Sequence, residues 1–227
     1  MPDIRLDTEI FERGLCRSRE HARQLVKNGK VFVDGKACLK PAASVSKESV
    51  IEITGDIHSY VGRGGLKLEK AVDFFQIELA GRVCLDIGAS TGGFTDCMLK
   101  NGAEKVYALD VGHIHLDASL IEDSRVVNME KTNIRNSVVS DFDMPLSFIA
   151  TDVSFISLKL VLPKIKELLA EEGSSVVLVK PQFEAGKSNL TKNGIVKDSR
   201  VHRQILSDML VFADSCGLAV SGMCVSP

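Results

Sequence analysis

The six cysteines, at 16, 38, 84, 97, 216 and 224, never fall in a CxxC pair. They read as reduced, mostly buried thiols of a cytoplasmic protein rather than as a disulfide or zinc framework. No uninterrupted apolar run approaches the roughly 20 residues that a membrane helix needs. The N-terminal stretch MPDIRLDTEIFERG has no basic region followed by an apolar one, which argues against secretion. His58, His113, His115 and His202 form no metal-ligand spacing, so no metal is expected. Neither charge sign dominates: the formal net charge is -2, with 11 Lys+Arg against 9 Asp+Glu in residues 1–65 and 17 against 21 in the remainder. That mild basic excess at one end is compatible with RNA binding, yet is far weaker than a basic tail. What remains is a globular chain of 227 residues, 44% hydrophobic and 26% charged, large enough for one substantial core and a small second domain.

The small domain comes first. IRLDTEIFERGL places Leu6, Ile10 and Phe11 at helical spacing, and SREHARQLVKNGK opens on Ser18, a good N-cap, and stops at Asn28-Gly29. KVFVDGKACL then alternates toward an Asp34-Gly35 turn, and SVIEIT reads as a short strand. Arg19, Arg23 and Lys27 are four apart, so they share one helix face. That stripe could grip phosphates, or it could be an ordinary solvated face. Gly62, Gly64 and Gly65 follow, predicting a flexible hinge before a helix that begins near Leu66.

The stretch CLDIGASTGGFTDCMLKNGAEKVYALDVG, residues 84 to 112, predicts strand, glycine turn, helix and parallel strand, a Rossmann-like unit. Its glycines, Gly88, Gly92 and Gly93, follow DxGxxxGGF; neither GxGxxG nor GxxxxGK[ST] occurs, which disfavours dinucleotides and nucleoside triphosphates. Asp86 is placed to face a charged amino group, the small residues from Gly88 through Ser90 to Gly93 and Phe94 allow close backbone approach, and Asp110 is placed to accept two ribose hydroxyls. Adenosine carrying a charged amino acid satisfies all three features. The expected cofactor is S-adenosylmethionine. LSFIATDVSFISL and SSVVLVKPQFEAGK read as further strands that end at Asp152 and Lys180, on the rim where open α/β sheets bind substrates.

Residues 3 to 54, from RLD through SRxxAxxLVxxGxVxVDG to a hydrophobic final strand, resemble the S-four-type RNA-binding domain. The resemblance implies a helix-helix face for folded RNA, with Arg5, Arg17, Arg19, Arg23 and Lys27 as contacts and Lys30 and Lys36 beside them. Residues 60 to 227 resemble the TlyA (hemolysin A) family of ribosomal RNA methyltransferases, related to the FtsJ-type ribose 2'-O-methyltransferases. GRGGLKLEKA, TDVSF and LVKPQFE carry the likeness, and NGIVKDSRVH fits it. It implies an α/β, Rossmann-like S-adenosylmethionine-dependent methyltransferase fold behind a small α+β RNA-binding domain. The expected domains are 1–58, a glycine-containing linker at 59–65, and 66–227. It further implies a Lys-Asp-Lys-Glu set around the reacting ribose, with Lys67, Asp152 and Lys180 as its first three members. The closing glutamate would fall beyond VSP, so a truncated chain with reduced or no turnover is expected.

By that likeness Lys180 would stabilise the developing alkoxide or take its proton, Lys67 would supply a neighbouring cation, and Asp152 would orient the Lys180 ammonium. The [ND]-P-P-[YF] pattern of base N-methyltransferases is missing at Asp152-Val153-Ser154-Phe155, which favours oxygen as the acceptor. The expected partners are ribosomal RNA or ribosomal subunits, and no membrane. A non-catalytic RNA-binding assembly factor is the main rival. A membrane-active hemolysin is disfavoured by the lack of a spanning segment or strongly amphipathic basic helix, and a nicotinamide-dependent dehydrogenase by the missing GxGxxG.

Overall fold

A computed structural model describes residues 4–16, 19–54, 60–112 and 116–227, with the side chain at 187 also left undescribed. Arg17, Ser18, His58, His113 and His115 therefore lie outside the described residues. The chain divides into two compact units, Met1–Ser59 and Tyr60–Pro227.

In the first unit β1 (Ile4–Arg5) leads into α1 (Leu6–Glu12), followed by α2 (Arg19–Lys27), β2 (Val31–Val33), β3 (Lys36–Ala37), β4 (Ser44–Val45) and β5 (Ile51–Ile53). Leu6 and Ile10 from α1 and Ala22, Leu25 and Val26 from α2 are buried against Val31 and Val45, the helical spacing legible in the sequence. The Gly29 and Lys30 amides bond back to Val26 and Leu25, and Gly29 sits at φ 69. This is the glycine-terminated helix end that only a residue without a Cβ adopts cheaply. Asp34 at φ 50 and Gly35 at φ 75 form the left-handed pair that a two-residue hairpin requires between β2 and β3.

The second unit opens with α3 (Gly64–Phe75), β6 (Val83–Ile87), α4 (Gly93–Lys100), β7 (Lys105–Leu109), α5 (Ala118–Ile121) and β8 (Val126–Met129). It continues with β9 (Leu146–Thr151), α6 (Leu162–Leu168), β10 (Leu169–Val177), α7 (Pro181–Glu184) and α8 (Ser199–Ser215). The five strands are all parallel, in the order β10-β9-β6-β7-β8. Side chains alternate between two buried faces. Cys84, Val106, Ala108, Phe148 and Ala150 pack toward α3, α4 and α5, while Leu85, Ile87, Leu109 and Ile149 pack toward α6 and α8. Helices cover both faces, which is why the strands read as nearly continuous apolar runs. The chain leaves β6 toward β7 and β8, then returns to the other side of β6 as β9. The direction of winding therefore switches between β6 and β9, where open α/β sheets place their ligand crevice.

Two expectations change here. The helix after the glycines starts at Gly64, and Tyr60 is buried, so residues 60–65 pack into this unit instead of forming a free hinge. Asp86 is fully buried among apolar side chains inside β6 and does not face outward. Its Oδ2 accepts both the backbone N–H (2.9 Å) and the hydroxyl (2.7 Å) of Thr95. Gly92, the N-cap of α4, has no side chain to do this, so a strand carboxylate caps the helix instead, close to its positive end.

Burial pushes the Asp86 carboxyl up to about 7; the Thr95 hydroxyl and amide pull it down, and the nearby charges of Asp152 and Asp110 raise it further. A folded-state value raised above the unfolded one adds stability that is complete at low pH and fades as the group ionises. The protein should therefore lose stability between about pH 4 and about pH 7. Thermal melts across that window should show the decline in the wild type and a flatter profile in Asp86→Asn. Superimposable profiles would refute the assignment.

Candidate active site

Two strand ends and one helix start meet at the switch point. Asp152 follows β9 directly, and its amide bonds the Ile87 carbonyl at the end of β6. Lys67 rises from the first turn of α3 and its Nζ lies 2.8 Å from Asp152 Oδ2. Lys180, the N-cap residue of α7, places its Nζ 2.6 Å from Asp152 Oδ1 and 2.8 Å from Ser154 Oγ. The two lysines come from positions 113 residues apart in sequence and share one carboxylate. The Asp152 side chain is 15% exposed, so its charge needs partners, and two ammonium groups supply them.

Backbone packing fixes this arrangement. Gly88 has φ +90, and a Cβ there would meet the Asp152 carbonyl oxygen at 2.8 Å. A Cβ on Gly93 would come within 2.9 Å of the Gly65 amide. The glycine turn is thus pressed between the Asp152 segment and the 62–65 segment. The Asp96 carboxylate accepts the Val61 amide at 2.7 Å and tethers that segment from α4.

Between these parts lies a cavity of about 640 Å³, lined by Gly88, Ser90, Gly93 and Phe94 on one side and by Lys67, Asp152 and Lys180 on the other. This volume falls in the range of small-molecule sites. Gly92 points elsewhere, since a Cβ there would strike Leu120 and Leu116 in the core. Asp110 follows β7 and accepts the Ser90 amide (2.8 Å) and the Gly112 amide (2.7 Å), one on each oxygen. Each carboxylate oxygen keeps a further acceptor position. Asp86 lies beneath the turn, capping α4, with its Oδ1 buried and unpaired.

Four residues not singled out from the sequence belong to the same neighbourhood. Arg63 lines the cavity beside Gly64. Ser154 accepts from Lys180. Glu184 accepts the Ser157 hydroxyl (2.6 Å) and the Leu158 amide (2.8 Å), tying α7 to the loop after Asp152. Phe155 lies in that loop at φ 62, 92% exposed, with its ring tilted at 50° against that of Phe183. The stretches GRGG, DVSF and KPQFE held these residues, but of the last two only Asp152 and Lys180 carried a chemical signal without the fold.

In the first unit Arg5, Arg19 and Arg23 converge on Asp7, while Lys27, Lys30 and Lys36 are exposed. Arg17 lies outside the described residues.

Residues 60–227 match the FtsJ-like methyltransferase family, and residues 4–51 match the S4 domain. This chain belongs to the FtsJ-like methyltransferases. It is 40% identical over 98% of its length to a Mycobacterium tuberculosis protein named 16S/23S rRNA (cytidine-2'-O)-methyltransferase TlyA, covering 84% of that relative. It is 41% identical over 99% of its length to a Brachyspira hyodysenteriae protein named Hemolysin A, covering 93% of it. A solved structure from Streptococcus thermophilus is 43% identical and superposes with a TM-score of 0.78 over 100% of this chain and 83% of that one. In this methyltransferase no described helix is long and apolar enough to cross a membrane.

Gly88→Ala should cost about 2–4 kcal/mol, combining strain at a left-handed φ with a backbone clash. Urea unfolding measures it; an unchanged midpoint would mean that the turn is not pressed against Asp152.

Proposed function

We propose that this protein transfers a methyl group from S-adenosylmethionine to the 2'-hydroxyl of a ribose in ribosomal RNA. The observation that carries the reading is the Lys67-Asp152-Lys180 cluster, two ammonium groups on one carboxylate at 2.8 and 2.6 Å, on the wall of the glycine-turn cavity. The site suits the cofactor: Gly88, Ser90, Gly93 and Phe94 line the cavity, and Asp110, bonded to the Ser90 amide of the same turn, keeps acceptor capacity for two ribose hydroxyls. S-adenosylmethionine supplies an electrophilic methyl group when bound.

The remaining chemistry falls to the chain's own residues. In-line displacement forms an oxygen–methyl bond while the sulfur–methyl bond breaks and leaves its electron pair on sulfur; the hydroxyl proton passes to solvent water, and negative charge builds on the oxygen as that proton leaves and is consumed as the methyl group bonds. Lys67 and Lys180 bring two positive charges against the one negative charge of Asp152. The local surplus favours that oxyanion, and Asp152 holds both amines in place. Ser154 fixes the Lys180 amine from a third direction. The first unit supplies the RNA-binding function, through the arginines and lysines of its helical face, by positioning on phosphates and reading RNA shape. The same family likeness, together with the rRNA-directed name of the M. tuberculosis relative, supports ribosomal RNA as the polymer.

The test is calorimetric titration with S-adenosylmethionine, followed by transfer of labelled methyl to ribosomal RNA and nucleoside analysis. Asp110→Ala should lose cofactor affinity. Lys180→Ala should keep it and slow ribose methylation by about 10²-fold or more. Label on a base nitrogen, or undiminished transfer by Lys180→Ala, would overturn the proposal.

A further inference from the structure

Asp7 is an acid buried at the centre of a basic surface. Its Oδ1 and Oδ2 accept Arg5 Nε (3.0 Å) and Nη2 (2.8 Å) as a two-point pair. Arg23 Nε reaches Oδ2 at 3.0 Å, and Arg19 Nη2 lies 3.7 Å from Oδ1. The side chain of Asp7 is 0% exposed, whereas the three arginine side chains are 49%, 47% and 42% exposed. Arg5 ends β1, while Arg19 and Arg23 come from α2. The carboxylate therefore gathers guanidinium groups from two elements around one point. A guanidinium has five N–H donors. Arg5 gives two to Asp7, and Arg23 gives one to Asp7 and one to Glu20, so donors remain for a second anion. The arginines hold the Asp7 carboxyl well below the usual carboxylate range, with the Arg5 hydrogen bond as the largest cause.

We propose that Asp7 is a positioning residue for RNA binding, locking Arg5, Arg19 and Arg23 into one fixed site for neighbouring backbone phosphates. The inference rests on the reading above that the first unit binds RNA. Long arginine side chains lose rotamer freedom when they grip a ligand. Asp7 removes much of that freedom before the RNA arrives, at the cost of one negative charge beneath the surface.

The two effects of Asp7 have opposite signs, which makes the inference decidable. Asp7→Asn raises the charge of the face by one. If Asp7 acted only as a counter-charge, the variant would bind RNA more tightly. Positioning requires the reverse: affinity about tenfold weaker, and a salt dependence shallower by about one phosphate contact. The experiment is filter binding of the full chain to purified ribosomal RNA across a salt series, with circular dichroism to establish folding of the variant. Weaker binding and a shallower slope in a folded variant support the inference. Equal or tighter binding in a folded variant overturns it while leaving the RNA-binding reading intact. Wild-type protein without salt-dependent RNA affinity overturns that reading, and the inference with it. If Asp7→Asn does not fold, NMR of the arginine Nε–H groups in the unaltered chain decides. Separate, slowly exchanging signals for Arg5 and Arg23 support locking, and a single averaged signal overturns it.

Discussion

Asp152 carries an opposite charge on each oxygen, and much of the C-terminal unit is arranged so that it can. A carboxylate at 15% exposure needs compensation. Its partners arrive from α3 and from the start of α7, elements that meet only because the sheet changes winding direction between β6 and β9. Gly88 supports Asp152 from behind with no side chain to intervene. Glu184 ties α7 to the loop that follows. The ion pairs are thus the visible end of a chain of constraints that runs through backbone packing, and the cavity beside the glycine turn is lined by the same residues.

Much of this was legible in the sequence because it depends on local pattern. The DxGxxxGGF turn, the strand-helix-strand alternation and the acids at strand ends are short-range signals, and the structure places Lys67, Asp152 and Lys180 together as the family likeness implied. The role of Asp86 was not legible. An acid near a strand end looks the same whether it meets a ligand or caps a helix, and the decision rests on Thr95, nine residues away, turning back toward it. The packing of residues 60–65 was hidden for a related reason. Glycine signals both freedom and close approach, and only the neighbouring chain tells which applies. Glu184 and Ser154 act through loop geometry, which no spacing rule encodes.

The two buried acids show how differently a fold can treat a charge. Asp7 is surrounded by guanidinium groups and stays strongly acidic. Among the described residues Asp86 meets only the hydroxyl and amide of Thr95, on one oxygen, and burial drives its carboxyl toward neutrality. One acid is kept ionised to organise cations around it. The other is tolerated inside an apolar sheet because it completes a helix that begins with glycine.

The contact between Gly93 and the 62–65 segment also bears on how this protein can be altered. A run such as GRGG invites use as a permissive joint, where tags, labels or longer spacers are inserted without harm. Here the lack of side chains is what lets two backbones touch, with less than 3 Å between an added Cβ on Gly93 and the Gly65 amide. Bulk added there would be felt first at the glycine turn that follows β6. The segment that looks most pliable is, for anyone modifying the chain, among its least forgiving.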